Sequence, residues 1–147
     1  MKKGIMSKKL KIYKSDETSI SIPLFTSPVK AGFPSPAEDF IEETLDLNKY
    51  LIKHPAATFF VKVEGDSMID ANIFKNDILI IDRSLSPQDK KIVIAILNGE
   101  FTVKRIRILK NKIYLQPENK NYSQIEIPPN SDFEIWGVVT HIIHQAL

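Results

Sequence analysis

The chain has 147 residues, of which 43% are hydrophobic and 26% charged, with a formal net charge of +2 and no cysteine. This composition is typical of one globular domain that builds its own core, and it excludes disulfides, thiolate catalysis and cysteine-ligated zinc. No apolar run approaches the length that spans a membrane, and the basic N-terminus lacks the apolar stretch of a signal peptide. We therefore expect a cytoplasmic protein.

An extended N-terminal arm is predicted for residues 1–34, followed by a folded domain over residues 35–147. A proline-rich stretch around Gly32 excludes a regular helix or a central strand at that point. Such a segment is extended and accessible to proteolysis. Translation from Met1 and translation from Met6 both remain open, because the five residues before Met6 have little character.

Basic residues concentrate in the arm and again between residues 104 and 112. Nucleic-acid contact is one interpretation of such clusters. Because the clusters lack interleaved aromatic side chains, we favour a solvated tail and the polar face of a strand. Whether the basic arm contacts DNA stays open.

A helix is predicted to begin at Ser35, the first residue of a capping box, and apolar residues at helical spacing continue it to Leu45. Asp46 is expected to cap a second short helical turn, which ends before Pro55. From Thr58 onward the pattern becomes one of strands and turns.

Apolar and β-branched runs predict at least six strands, over residues 58–63, 77–82, 91–97, 101–109, 113–115 and 134–143. Asn98-Gly99 is a strong signal for a hairpin turn, and Asn111-Lys112 marks the next tight turn. Short strands at this spacing, with only one or two early helices, predict a mostly β barrel or sandwich.

A serine follows the first of these strands, within Gly65-Asp66-Ser67-Met68. Gly65 permits a sharp turn and a short helix is predicted after Ser67, so backbone N–H groups converge on this serine. The amides of Asp66 and Ser67 are therefore candidates to stabilise an oxyanion. An ordinary turn serine is the alternative, since short motifs recur by chance.

A serine hydroxyl needs a base before it becomes a nucleophile. None of the three histidines has a sequence setting that specifies a catalytic triad. Strand alternation places Lys104 on one face with Thr102 and two isoleucines, while the neighbouring arginines point away. Burial on that face would lower the lysine pKa and supply the neutral amine that a base requires. A lysine that extends into solvent is the alternative.

Three segments follow one another in an order and spacing that resemble the LexA/UmuD family of self-cleaving proteins, peptidase family S24. They are Gly65-Asp66-Ser67-Met68, Asn76-Asp77-Ile78-Leu79-Ile80 and Gly99-Glu100-Phe101-Thr102-Val103-Lys104-Arg105. Further segments resemble the UmuD-like branch of that family over about residues 22–144: Pro23-Leu24-Phe25, Ala31-Gly32-Phe33-Pro34-Ser35-Pro36-Ala37, Asp46-Leu47-Asn48 and Trp136-Gly137-Val138-Val139.

The resemblance implies that Ser67 is the nucleophile, Lys104 its base, and Ala31-Gly32 the self-cleavage site. It implies a LexA-like β domain, with no metal or cofactor. It also implies a homodimer whose cleavage is stimulated by a RecA filament on single-stranded DNA. The shortened form would join a UmuC-type Y-family DNA polymerase as a regulatory subunit of translesion synthesis in the SOS response, with no sequence-specific DNA binding and no membrane contact.

The sequence leaves three alternative functions open. A repressor fragment of the same family would bind DNA, but no helix-turn-helix is visible before Ala31. A catalytically silent interaction module would have no need of Ser67, Lys104 and Ala31-Gly32 together. A signal peptidase shares the serine–lysine chemistry but needs a membrane anchor. Cleavage within one chain and cleavage between two chains both stay open, because the segment from Gly32 to Ser67 is long enough for either.

Overall fold

The computed structural model describes residues 10–14, 18–25 and 42–147. Within these residues the strands are β1 (Leu10–Lys14), β2 (Ser21–Phe25), β3 (Glu42–Asp46), β4 (Thr58–Val63), β5 (Ile78–Asp82), β6 (Ile92–Leu97), β7 (Glu100–Leu109), β8 (Lys112–Gln116), β9 (Ile125–Glu126) and β10 (Phe133–Ile143). Helix α1 spans Leu47–Leu51, and two 3₁₀ helices span Pro55–Ala57 and Ile69–Ala71. The predicted mostly β fold is confirmed. No helix in the described ranges is long and apolar enough to cross a membrane.

The chain divides into two compact units. Among the described residues, 10–14 and 56–147 belong to the larger unit, and 18–25 and 42–55 to the smaller one. The larger unit contains an eight-stranded sheet in the order β1-β4-β5-β10-β6-β7-β8-β9, in which every neighbouring pair is antiparallel.

All six predicted strands are present, and each begins and ends within one residue of the prediction. The hairpin between β6 and β7 turns at Asn98 and Gly99, whose φ angles of 50° and 82° suit a tight two-residue turn. The next turn lies one residue earlier than predicted, at Lys110 and Asn111, because these two residues have positive φ and Lys112 already belongs to β8.

The core of the larger unit joins the sheet to the segment that follows Ser67. Val61, Leu79 and Ile94 are fully shielded from solvent, and they pack in one cluster with Met68 and Ile73. Met68 and Ile73 flank the 3₁₀ helix, so their burial anchors that helix to the sheet. Burial of each such apolar side chain stabilises the folded state by about 1.5–3 kcal/mol.

The smaller unit contains a two-stranded ribbon of β2 and β3, followed by α1. The predicted cap is confirmed, because the Asp46 carboxylate accepts a hydrogen bond from the Asn48 N–H at 3.0 Å. The predicted helix up to Leu45 is wrong at its described end, where residues 42–46 form a strand. Leu45 pairs with Ile22 across the ribbon, and such non-local pairing overrides a local helical spacing. The predicted start at Ser35 lies outside the described residues.

One strand of the sheet comes from the predicted arm. Leu10–Lys14 forms β1, which pairs with β4 at the edge of the sheet, from Leu10 opposite Val63 to Lys14 opposite Phe59. This part of the arm is therefore strand in the larger unit. The proposed domain boundary at residue 34 lies outside the described residues.

Candidate active site

Ser67 lies in a turn between β4 and the 3₁₀ helix. Gly65 opens the turn with a φ of +95°, in the region that favours glycine. A Cβ atom at this position would meet open space, so the backbone conformation and not crowding selects glycine. Met68, directly after the serine, is almost fully buried and ties the turn to the core.

Lys104 approaches the serine from β7. It lies opposite Val93 of β6 and is only 8% exposed, so it points inward as the alternation of the strand predicts. Its Nζ lies 3.2 Å from Ser67 Oγ, although the two residues are 37 positions apart in the chain. The structure therefore brings together the serine and the lysine that the sequence singles out.

Thr102 and Val103 also contact the lysine amine. Lys104 Nζ donates hydrogen bonds to Thr102 Oγ1 at 2.5 Å and to the carbonyl oxygen of Val103 at 3.1 Å. The alternation of β7 places Thr102 on the same face as Lys104, but sequence reasoning assigned it no role. A hydroxyl-bearing residue two positions before an inward-facing lysine on the same strand lies on the same face, and this spacing could have predicted the contact.

The loop after β8 supports the serine turn through three residues to which sequence reasoning assigned no role. The Glu118 N–H donates to the carbonyl oxygen of Ser67 at 2.9 Å. The buried Asn119 side chain donates to the carbonyl oxygen of Asp66 at 2.8 Å. The Tyr122 hydroxyl donates to the Asp66 carboxylate, and this hydrogen bond raises the pKa of Tyr122. The loop therefore restrains the backbone on which the predicted oxyanion site depends.

A cavity of about 280 Å³ opens beside the serine and the lysine. Its walls include the apolar side chains of Val63, Met68, Phe101 and Val103 together with Ser67 and Lys104. Among the described residues, no acceptor receives the amide N–H of Asp66 or of Ser67. These two amides remain the predicted donors to an oxyanion. The other predicted site residues, Ala31 and Gly32, lie outside the described residues.

Comparison with known proteins identifies the family of the chain. Residues 23–140 match the peptidase S24-like family. The chain is 45% identical over 122 residues to protein MucA of Salmonella typhimurium, which covers 82% of this chain and 83% of MucA. It is 48% identical over 124 residues to protein SamA of Salmonella typhimurium strain LT2, with 84% and 86% covered.

A more distant relative is LexA repressor 1 of Geobacter sulfurreducens, at 37% identity over 127 residues. That match covers 86% of this chain but 62% of the repressor. MucA and SamA are UmuD-like proteins, so the predicted resemblance to that branch is confirmed. The chain belongs to the peptidase S24-like family and is a UmuD-like member of it.

Proposed function

We propose that this protein is a self-cleaving serine endopeptidase that cuts its own Ala31–Gly32 bond, with Ser67 as nucleophile and Lys104 as base. The observation that carries the proposal is the 3.2 Å separation of Ser67 Oγ and Lys104 Nζ beside a cavity. Membership of a peptidase family supports the same chemistry.

The surroundings of Lys104 suit a neutral amine. A neutral amine has two N–H donors and one lone pair, and the carbonyl oxygen of Val103 and the hydroxyl of Thr102 accept from this nitrogen. Ser67 Oγ lies 3.2 Å from the same nitrogen, so its hydroxyl proton is within reach of the lone pair of a neutral amine. Burial favours the neutral form of a lysine because it penalises the charged form.

The reaction follows from this arrangement as an acyl transfer and a hydrolysis. Lys104 takes the hydroxyl proton while Ser67 Oγ forms a bond to the carbonyl carbon of Ala31. The amides of Asp66 and Ser67 stabilise the negative charge on the carbonyl oxygen. The C–N bond to Gly32 then breaks, and the protonated lysine returns its proton to the leaving amine. Water finally hydrolyses the ester and releases residues 1–31 from residues 32–147.

The residues at the proposed cleavage site suit a narrow catalytic cleft. Alanine is small and glycine has no side chain, so the backbone of Ala31 and Gly32 can approach Ser67 closely. Prolines at positions 28 and 34 flank this bond, and proline disfavours a helix. Both features favour this bond over others in the arm.

We also propose a biological role from the UmuD-like relatives. The protein acts in the cytoplasm as a homodimer in the SOS response, and a RecA filament on single-stranded DNA stimulates its cleavage. The shortened form then serves as the regulatory subunit of a UmuC-type Y-family polymerase in error-prone translesion synthesis. This assignment is an analogy with relatives and rests on family membership.

Mass spectrometry of the purified protein tests the cleavage. We expect two products, residues 1–31 and 32–147, to appear with time, and to appear faster at alkaline than at neutral pH. The rate rises with pH because only the uncharged lysine can act as a base. For a lysine with the ordinary pKa of about 10.4, or with a pKa lowered to a value still above 7, the uncharged fraction grows as the pH rises. The Ser67→Ala variant should stay intact at both pH values.

A preformed RecA filament is the second arm of this experiment. Wild-type protein that stays intact alone but breaks at Ala31–Gly32 with the filament would support both the cleavage and its regulation. Wild-type protein that stays intact under every condition would contradict the protease proposal. Cleavage at another bond would contradict the assigned site while leaving the serine and lysine in place.

Thr102 is expected to position the lysine. The Thr102→Val variant keeps the shape of the side chain but removes the hydroxyl that accepts from Lys104. Removing the acceptor of a buried N–H group costs about 1–3 kcal/mol, so the cleavage rate should fall by about 5- to 160-fold. Thr102→Ser should recover most of the rate. An unchanged rate and pH profile in Thr102→Val would show that the hydroxyl has no positioning role.

A further inference from the structure

The edge of β4 is occupied by a strand that is distant in sequence. β1 pairs with β4 over five residues, and no strand of the described chain pairs with the other side of β1. An edge strand of this length offers a row of backbone N–H and C=O groups to any extended peptide. β1 pairs with these groups of β4, and residues 15–57 are the covalent connection between the two strands.

Side chains of β1 add specificity to the backbone pairing. Ile12 lies opposite the buried Val61 and packs against the core cluster of the larger unit. Lys14, two residues later and on the same face, lies opposite Phe59 with its Nζ 4.4 Å from the ring centroid. Tyr13, between them, faces the other way and is 47% exposed. The sequence pattern is therefore an apolar residue and a lysine, separated by one position whose side chain points to solvent and can vary.

The lysine of this pattern binds to backbone carbonyl groups at and just before the start of β4. Lys14 Nζ donates hydrogen bonds to the carbonyl oxygen of Ala56 at 3.0 Å and of Thr58 at 3.4 Å. The face of Phe59 adds a third contact to the ammonium, while the Lys14 side chain stays exposed to solvent. An acidic side chain at position 14 would meet the same oxygens and the same ring face with repulsion.

We propose that the β4 edge is a peptide-binding site for an extended segment with an apolar residue and a lysine two positions later, and that β1 is its tethered occupant. A peptide that is covalently joined to its binding site has an effective concentration there on the order of 1 mM. Pairing through five residues is therefore maintained within one chain even if the free peptide binds weakly. The same site accepts an equivalent segment from outside once the tether is cut.

One consequence rests on the proposed function. Cleavage at Ala31–Gly32 would separate β1 from β4 covalently, because β1 precedes the cut and β4 follows it. The strand would change from a tethered element into an exchangeable peptide. The β4 edge would then become open to another chain that presents the same pattern.

The test uses the full chain and an added protease, so it does not depend on self-cleavage. In the Ser67→Ala variant, residues 26–30 are replaced by the recognition sequence of a site-specific protease, and the chain is cut before assay. A fluorescent peptide of residues 7–17 is the probe, read by anisotropy. Matched peptides carry Ile12→Asp, Lys14→Glu or, as the control at the exposed position, Tyr13→Ala.

We expect saturable binding of the wild-type peptide to the cut chain, and at least tenfold weaker binding to the uncut chain, whose site is filled. The Ile12→Asp and Lys14→Glu peptides should bind at least tenfold more weakly than the wild type, and Tyr13→Ala within about twofold. No binding up to about 1 mM peptide, or equal binding of the wild-type and Lys14→Glu peptides, would overturn the proposal.

A second measurement avoids the cut altogether. In the uncut Ser67→Ala chain, Lys14→Glu should accelerate hydrogen exchange of the β4 amides and increase the affinity for the wild-type peptide, whereas Tyr13→Ala should change neither. Circular dichroism verifies that each variant keeps its strand content. Equal exchange in the Lys14→Glu and Tyr13→Ala chains would contradict a specific lysine site.

Discussion

Replacing Lys104 by methionine is expected to reduce the rate of self-cleavage at Ala31–Gly32 by at least about 10⁴-fold. Methionine keeps an unbranched stem of similar length in the apolar surroundings of β7 but has no amine to take the proton of Ser67. The 3.2 Å contact between Nζ and Oγ is lost, and no other base in the described chain lies in an equivalent hydrogen bond to this hydroxyl. The measurement is the rate of product formation by mass spectrometry.

The controls separate catalysis from folding. Lys112→Met changes a lysine whose side chain is 61% exposed on β8 and should leave the rate unchanged. Lys104→Met should unfold at the same temperature as the wild type or higher, because burial of an amine opposes folding and burial of a thioether does not. Lys104→Arg should also be inactive, because a guanidinium does not lose its proton in proteins. A rate within tenfold of wild type in Lys104→Met would contradict the assigned base.

Ile94→Ala is expected to lower the free energy of unfolding by about 2–5 kcal/mol. Ile94 is fully buried on β6, with β7 on one side and β10 on the other, where it lies opposite Val103 and Gly137. It packs in the core cluster that also contains Met68, so the deleted atoms leave a cavity beneath the serine turn. Strands on both sides limit the collapse that would otherwise fill the cavity.

Urea unfolding measures this loss against a suitable control. Ile108→Ala on β7 removes the same atoms from a side chain that is 39% exposed, and it should cost no more than about 1 kcal/mol. The total stability of a domain is about 5–15 kcal/mol, so Ile94→Ala removes a large share of it. Equal losses in the two variants would show that the cluster around Ile94 is not the stabilising core.

Much of the larger unit was predictable because its signals are local. Alternation along 101–109 placed Lys104 on the inner face, and Asn98-Gly99 marked the turn before it, since only residues that tolerate positive φ suit that turn. The six strands followed from short branched runs between turn residues. Such features depend on a few neighbouring residues, so they can be read without knowledge of the fold.

The errors and omissions involve partners that are distant in sequence. Residues 42–46 have helical spacing but pair with β2, and the pairing partner is not visible in the local pattern. Asn119 contacts the backbone of Asp66 across 53 positions, and no periodicity predicts that contact. β1 lies within a segment predicted as an arm, and the β4 edge with which it pairs begins more than forty positions later.

The sequence by itself determined six of the ten described strands, the inward face of Lys104 and the glycine turn before Ser67, because backbone sterics and side-chain alternation act over a few residues. Only the tertiary structure decided that Ser67 Oγ meets Lys104 Nζ, that Thr102 and the loop after β8 restrain them, and that β1 covers β4. Those contacts depend on which strands pair and in which register. Register follows from the burial of one whole face against the core, which is a property of the assembled sheet.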